Sequence, residues 1–309
     1  MVSYLKILRP INLGIVALTH LFFYYFLITP SLEKAGVHPQ LTDILFPLFI
    51  LCTLCIVAAG NLINDILDLQ TDKINKPQKT FINNDIPLPK AWIYYGVITI
   101  LGFCLAIYIG LSIQKLELVF IYPLVTMLLY WYSKIFKHFP VIGNFFVAIF
   151  TGFVVWVLLI CEPQLMSNNH VAIQNARTIL IGFGIFSFFG NLIRELVKDV
   201  EDFEGDKIVG SKTFPVLYGI PKTKKLITGV ILVMLLILMA WFRKSLHVSD
   251  FRANIYFVLF VMAPIGLSIF KLYKAENKKQ FGAISRFYKM VLLSGLIYAF
   301  IFIQIIIHG

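Results

Sequence analysis

Asn61-Leu-Ile-Asn64-Asp65-Ile-Leu-Asp68-Leu-Gln-Thr-Asp72 closes one long apolar run of the chain, and Glu195-Leu-Val-Lys198-Asp199-Val-Glu201-Asp202-Phe-Glu204-Gly205-Asp206 closes another. Together the two stretches hold nine of the sixteen acidic residues. An aspartate at the centre of a membrane helix costs about 3 kcal/mol on insertion scales, so carboxylates in such company belong at a cavity, where they serve a cation. The runs that precede them decide the fold, because a membrane-spanning helix needs roughly 20 mostly apolar residues.

Composition agrees: 59% of the chain is hydrophobic, 14% is charged, and the mean hydropathy is +0.84, outside the balance of a water-soluble domain. Apolar segments near 11–29, 43–66, 90–113, 116–133, 141–161, 176–197, 223–242, 253–271 and 287–307 predict an all-α, polytopic bundle of nine transmembrane helices, residues 1–309 forming a single domain. The short basic start leads into a full-length apolar segment with no small-residue cleavage site, so the first segment is expected to be retained. Cys52-x-x-Cys55 falls mid-helix, without the soluble context of a redox motif, and reads as packing. His20 lies within a membrane segment and also reads as a packed group.

The net charge of +11 is distributed by loop rather than along a nucleic-acid-binding face. Nine helices place Lys6, Arg9, Lys90, the lysines of 73–79, 134–137 and 198–225, and those of 271–289 on one side. By the positive-inside rule that side is cytoplasmic, as is the N-terminus. The expectation is a multi-pass protein of the cell (inner) membrane that meets membrane lipid and no nucleic acid, with both acidic clusters at the cytoplasmic ends of helices 2 and 6. Each cluster runs into a polar, proline- or glycine-broken loop, 70–89 and 198–222, which suggests a weak repeat of helices 1–4 and 5–8. The many aromatic side chains read mainly as packing, with some available to line a tunnel for a long apolar ligand.

Residues three, four, seven and eight apart share a helix face, so Asn61, Asn64, Asp65, Asp68 and Asp72 form a polar stripe. Asp199-x-x-Asp202-x-x-x-Asp206 repeats the Asp65-x-x-Asp68-x-x-x-Asp72 spacing. Two such stripes at one mouth offer the oxygen ligands that Mg²⁺ selects, commonly together with substrate phosphates. Lys73, Lys76, Lys79, Arg194, Lys198, Lys207 and Lys212 are interleaved with the acids and point to an anion. The reaction this fits is ionisation of an allylic diphosphate, whose leaving group needs charge neutralisation and whose carbocation needs a dry surround. Polar helix ends carrying merely solvated charges are the plain alternative for one cluster, less so for two with identical spacing. A carboxylate-based cation transporter is a rival of another class, but it calls for charges at mid-membrane on broken helices.

The motifs resemble the UbiA superfamily of intramembrane prenyltransferases, with Asn64, Asp68 and Asp72 matching its first acidic pattern and Asp202 and Asp206 its second. Arg9-Pro10-x-Asn12, Asp72-x-x-Asn75-x-Pro77, Tyr132-Ser-Lys134-Ile-Phe-Lys137 and Gly143-Asn144 extend the likeness along the chain. The resemblance implies transfer of a polyprenyl group from its diphosphate, with two Mg²⁺ ions bridging that diphosphate and held by the two motifs, Asp65 and Asp199 flanking them. It implies donor contacts from Arg9, Asn12, Lys76, Lys79, Tyr132, Asn144 and either Lys134 or Lys137. Lys79-Thr80 departs from the family's Arg-Pro, keeping the charge but losing the bidentate fork. Arg194 through Asp206 is most similar to the branch that makes digeranylgeranylglyceryl phosphate from geranylgeranyl diphosphate and geranylgeranylglyceryl phosphate. An aromatic acceptor of the homogentisate, hydroxybenzoate or naphthoate type is the alternative. Arg194 and Lys198 point to the acceptor, and Asp199 or Asp206 is the carboxylate expected to take its proton.

Overall fold

A computed structural model describes residues 2–70, 72, 81–246 and 250–308. Among them nine helices are long and apolar enough to cross a membrane: α1 (Pro10–Lys34), α2 (Leu45–Leu67), α3 (Leu88–Ser112), α4 (Leu116–Lys134), α5 (Ile142–Cys161), α6 (Val171–Glu201), α7 (Ile220–Ser245), α8 (Phe251–Lys274) and α9 (Lys278–Ile307). Helices satisfy every backbone donor within the segment, as a bilayer requires. At 1.5 Å per residue even α4 spans about 28 Å, close to the hydrocarbon thickness of about 30 Å. α6 runs for 31 residues, about 46 Å, and so carries its acidic end beyond the hydrocarbon. The apolar pattern therefore undercounts α6 at both ends, where Gln174, Lys198 and Asp199 are polar yet helical. It also leaves Lys278, Lys279 and Arg286 outside the last segment, although they lie on α9.

Two helices change their hydrogen-bond step for one reason. Pro30 in α1 and Pro264 in α8 lack an N–H and would collide with the carbonyl four residues back. Each is preceded by a wider π turn, Tyr24–Ile28 and Phe257–Met262, that makes room for the ring.

α6 is the hub, packed against α5, α7 and α9, while α2 packs against α3 and α4. α1 joins the two groups through contacts with α2, α5 and α6. Consecutive helices pack together in α1/α2, α3/α4, α5/α6 and α7/α8, but the partner that α2 finds in α4 is supplied to α6 by α9. His20 is fully buried in α1 with its ring 5.0 Å from that of Phe49, and Cys52 and Cys55 are buried free thiols, both as packing groups.

The end remote from the acidic clusters is closed by Glu162, which is fully buried just past α5. Its carboxylate accepts the Gln40 and Leu41 N–H groups at 2.9 and 2.8 Å and the Gln164 amide at 2.7 Å, fastening the α1–α2 connection. Burial raises this carboxyl above the ordinary carboxylate range, and those three donors oppose the rise.

Candidate active site

The two acidic stretches fold alike because their spacing is alike. In the first, the Asp68 N–H bonds the Asn64 carbonyl at 2.9 Å and the Asp72 N–H bonds that of Asp68 at 2.8 Å. In the second, Asp202 bonds Lys198 at 2.9 Å and Asp206 bonds Asp202 at 3.0 Å. At both central aspartates ψ opens to near zero, 9° at Asp68 and 3° at Asp202. The chain thus leaves the parent helix at the middle carboxylate, and neither motif is the straight stripe that helical periodicity alone implies.

Arg9 is fixed over the first motif by an unusual backbone. It sits at φ 57°, ψ 64° directly before Pro10, a left-handed conformation uncommon for a residue with a Cβ and distinct from the extended one that a following proline favours. Its guanidinium meets Asp65 Oδ1 at 2.5 Å, and the Asn61 amide donates to the Leu8 carbonyl at 3.1 Å. Strain of this kind persists where its surroundings over-determine it; here two contacts clamp the N-terminal turn onto α2. Asn12 donates its backbone N–H to the Arg9 carbonyl at 2.8 Å.

The sequence left open which lysine near Tyr132 faces the acids, and the packing separates the two. Lys137, on the 3₁₀ turn Phe136–His138 after α4, forms an ion pair with Asp68. Lys134 is exposed, its ammonium 5.7 Å from the Tyr130 ring centre and 6.0 Å from that of Trp131. Gly143 sets the position of Lys137: a Cβ there would stand 2.7 Å from the Lys137 Cα, so only hydrogen fits between the first turn of α5 and the turn before it. One residue on, the Asn144 amide donates to Asp199 at 2.9 Å.

Around the second motif, Glu195 forms ion pairs with Arg194 at 2.9 Å and with Lys198 at 3.6 Å. Arg194 also donates to Asn191 Oδ1 at 3.3 Å, and Thr213 donates to Asp206 at 3.4 Å. The motifs face one space: Tyr132 at the end of α4 is within electrostatic range of Asp68 on one side, Glu195 and Asp199 on the other, and Arg9. Arg9 is likewise within range of Lys198.

Asn191 was not singled out from the sequence, and Glu195 entered only as the first acid of the second stretch. Asn191-x-x-x-Glu195-x-x-x-Asp199 lies on one helix face and was readable as such; Thr213 reaches Asp206 only through the turn after Val209. Lys73, Lys76 and Lys79 lie outside the described residues. Asn64, Asp65, Asp68, Asp72, Asp199, Asp202 and Asp206 carry the carboxylate and amide oxygens that suit a hard cation. Among the described residues, however, no three acidic, histidine or cysteine side chains are gathered closely enough to hold one. The carboxylates are held by the chain's own donors instead, Asp65 by Arg9, Asp68 by Lys137 and Asp199 by Asn144.

Comparison with known proteins follows the same lines. A family model described as the UbiA prenyltransferase family matches residues 15–295. A digeranylgeranylglyceryl phosphate synthase of Methanosphaera stadtmanae is 30% identical over 256 residues, covering 81% of this chain and 84% of that protein. Its counterpart in Methanobrevibacter smithii is 29% identical over 305 residues, covering 96% and 95%. A solved structure described as digeranylgeranylglyceryl phosphate synthase in membranes superposes with a TM-score of 0.64 at 25% identity, over 96% of this chain and 98% of that one. A UbiA homologue from Archaeoglobus fulgidus, solved with GPP and Mg²⁺ bound, shares the fold at a TM-score of 0.60 and 19% identity, over 98% and 99%.

Proposed function

Because the chain belongs to the UbiA prenyltransferase family, we propose that this multi-pass membrane enzyme transfers a geranylgeranyl group from its diphosphate to the free hydroxyl of geranylgeranylglyceryl phosphate. The observation that carries the site is the convergence of both acidic motifs on Tyr132 and Arg9. Relatives about 30% identical over most of the chain, named for digeranylgeranylglyceryl phosphate synthesis, support the acceptor.

The donor diphosphate lies between the motifs. Asn64, Asp68 and Asp72, flanked by Asp65, would hold one Mg²⁺, and Asp202 and Asp206 would hold a second, on the chemistry of their oxygens. Bound metal supplies charge neutralisation of the departing diphosphate. Lys137 and Arg9, already aimed at this space by Gly143 and the Arg9 turn, bind its oxygens. The bond from the prenyl C1 to the diphosphate oxygen breaks, and a bond from C1 to the acceptor oxygen forms. The acceptor's hydroxyl proton passes to Asp199, whose other requirement, a fixed orientation, is met by the Asn144 amide. Arg194 and Lys198 turn from Glu195 to the phosphate of the acceptor. The apolar bundle excludes water from the allylic cation. The charge of the loops supports a cytoplasmic position for this mouth.

Purified protein with Mg²⁺ and labelled geranylgeranyl diphosphate should release diphosphate when geranylgeranylglyceryl phosphate is added, and not with a homogentisate-type aromatic. Turnover with the aromatic alone would replace the acceptor while keeping the prenyltransfer; release with neither would remove both donor and acceptor assignments.

A further inference from the structure

A second built feature lies at the opposite end of the bundle. A cavity of about 410 Å³ opens between α6, α7, α8 and α9, within the range of ligand pockets. On α6 the cavity runs from Thr178 at its rim to Phe189, and even Phe189 is ten residues, about 15 Å at the helical rise, from Asp199, so the cavity lies apart from the acidic mouth. Its walls are aromatic and aliphatic, with Phe186, Trp241, Phe257 and Ala299 among them. The walls are shaped by glycine: a Cβ at Gly295 would stand 2.2 Å from the Phe186 ring, and one at Gly182 would stand 2.8 Å from Trp241.

One end of the cavity differs. Lys244 stands at the rim, and a smaller space continuous with it adds Asn175 and Ser245. Among the described residues no carboxylate forms an ion pair with Lys244, and Arg243 beside it adds a second exposed cation. From Lys244 down to Met234 on α7 the cavity extends ten residues, about 15 Å, or half of a hydrocarbon layer about 30 Å thick. An apolar slot one leaflet deep with a cation at its membrane-surface end is complementary to an anionic amphiphile standing in that leaflet.

We propose that this cleft is a lipid site: one hydrocarbon chain of a phosphate-bearing bilayer lipid lies between α6, α7 and α9, and its phosphate sits on Lys244. The inference stands apart from the prenyltransfer reading, since it uses none of the acidic mouth. A lipid there joins α7, α8 and α9 to the hub helix from the leaflet opposite the mouth, where their own side chains leave space.

Native mass spectrometry of the full chain in detergent, titrated with phosphatidylglycerol and separately with diacylglycerol of the same chains, tests it. One phosphatidylglycerol should be retained per chain, more tightly than diacylglycerol. Lys244→Glu should weaken it at least about fivefold, the scale of one interfacial lysine, while Arg252→Glu, an exposed cation on the same side, leaves it unchanged. Ala299→Trp should displace the lipid while diphosphate release at the mouth continues. Equal retention in Lys244→Glu and wild type, or equal weakening by Arg252→Glu, overturns the proposal. So does a shortened donor chain-length range in Ala299→Trp, which would make the cavity the donor's own tail site. If Ala299→Trp does not fold, the exposed Lys244 and Arg252 pair decides the matter alone.

Discussion

The two acidic motifs have the same spacing and the same backbone bend, yet they are neutralised differently. Offset by 134 positions, Asp65, Asp68 and Asp72 correspond to Asp199, Asp202 and Asp206, while Asn61 and Asn64 correspond to Glu195 and Lys198. The first motif is met by cations from elsewhere in the chain, Arg9 before α1 and Lys137 after α4. Among the described residues the second has cations on its own helix, Arg194 and Lys198, which pair with Glu195, while Asp199 accepts an amide and Asp206 accepts a hydroxyl. Shared spacing builds two similar oxygen sets, and the residues that differ give them different neighbours. On the proposed function the first is the donor-diphosphate half, with cations that reach across to it from other parts of the chain. On the same proposal the second carries a pair that an acceptor's phosphate opens.

If the two halves are equal partners in metal binding, Asp68→Ala and Asp202→Ala should each lower kcat by about a thousandfold, the scale of losing a principal electrostatic element. Comparable loss in radiolabelled turnover supports the symmetry; full activity in either variant breaks it. Next, Lys137→Ala should cost about a hundredfold in kcat/KM for the donor, while Lys134→Ala, on a side chain resting over Tyr130 and Trp131, changes it less than about twofold. The reverse ranking would mean the ion pair with Asp68 is merely structural.

The contrast sharpens at the second half. Arg194→Ala should raise the acceptor KM about tenfold with the donor KM unmoved, since it removes binding to one substrate only. Equal changes in both constants would return the whole mouth to the donor. A smaller effect, read as thermal unfolding, is expected of Gly143→Ala. The added methyl meets the Lys137 backbone, and overpacking of this kind costs about 1–3 kcal/mol.

The smallest effect is a control at the far end. The folded protein keeps the Glu162 proton to a higher pH than the unfolded chain does. Stability therefore falls as pH rises from the ordinary carboxylate value to the raised one. Glu162→Gln should flatten that segment of the unfolding profile and leave turnover within about twofold; lost turnover would couple the far end to the mouth.

Helices α2 to α5 were legible to within a few residues because lipid imposes one hydropathy period and one length. α6 and α9 were read short because their ends are polar, and polarity marks the membrane surface, not the end of a helix. The acidic residues were legible for a related reason: carboxylates are costly beside lipid, so few are present and those few are informative. Asn191 carries no charge and so did not stand out in an apolar run, although its spacing from Glu195 and Asp199 puts all three on one helix face.

What the sequence by itself determined is local and periodic: nine apolar spans among the described residues, two acidic motifs at the ends of α2 and α6, and the equal bends that equal spacing produces. The tertiary structure alone decided that Lys137 and not Lys134 meets Asp68, that Arg9 closes on Asp65 from 56 positions away, and that Asn144 serves Asp199. A helix repeats every 3.6 residues, so relations three or four apart can be counted along the chain. Contacts between helices depend on how closely the backbones approach, and that distance is set at points such as Gly143 where a single Cβ would hold them apart.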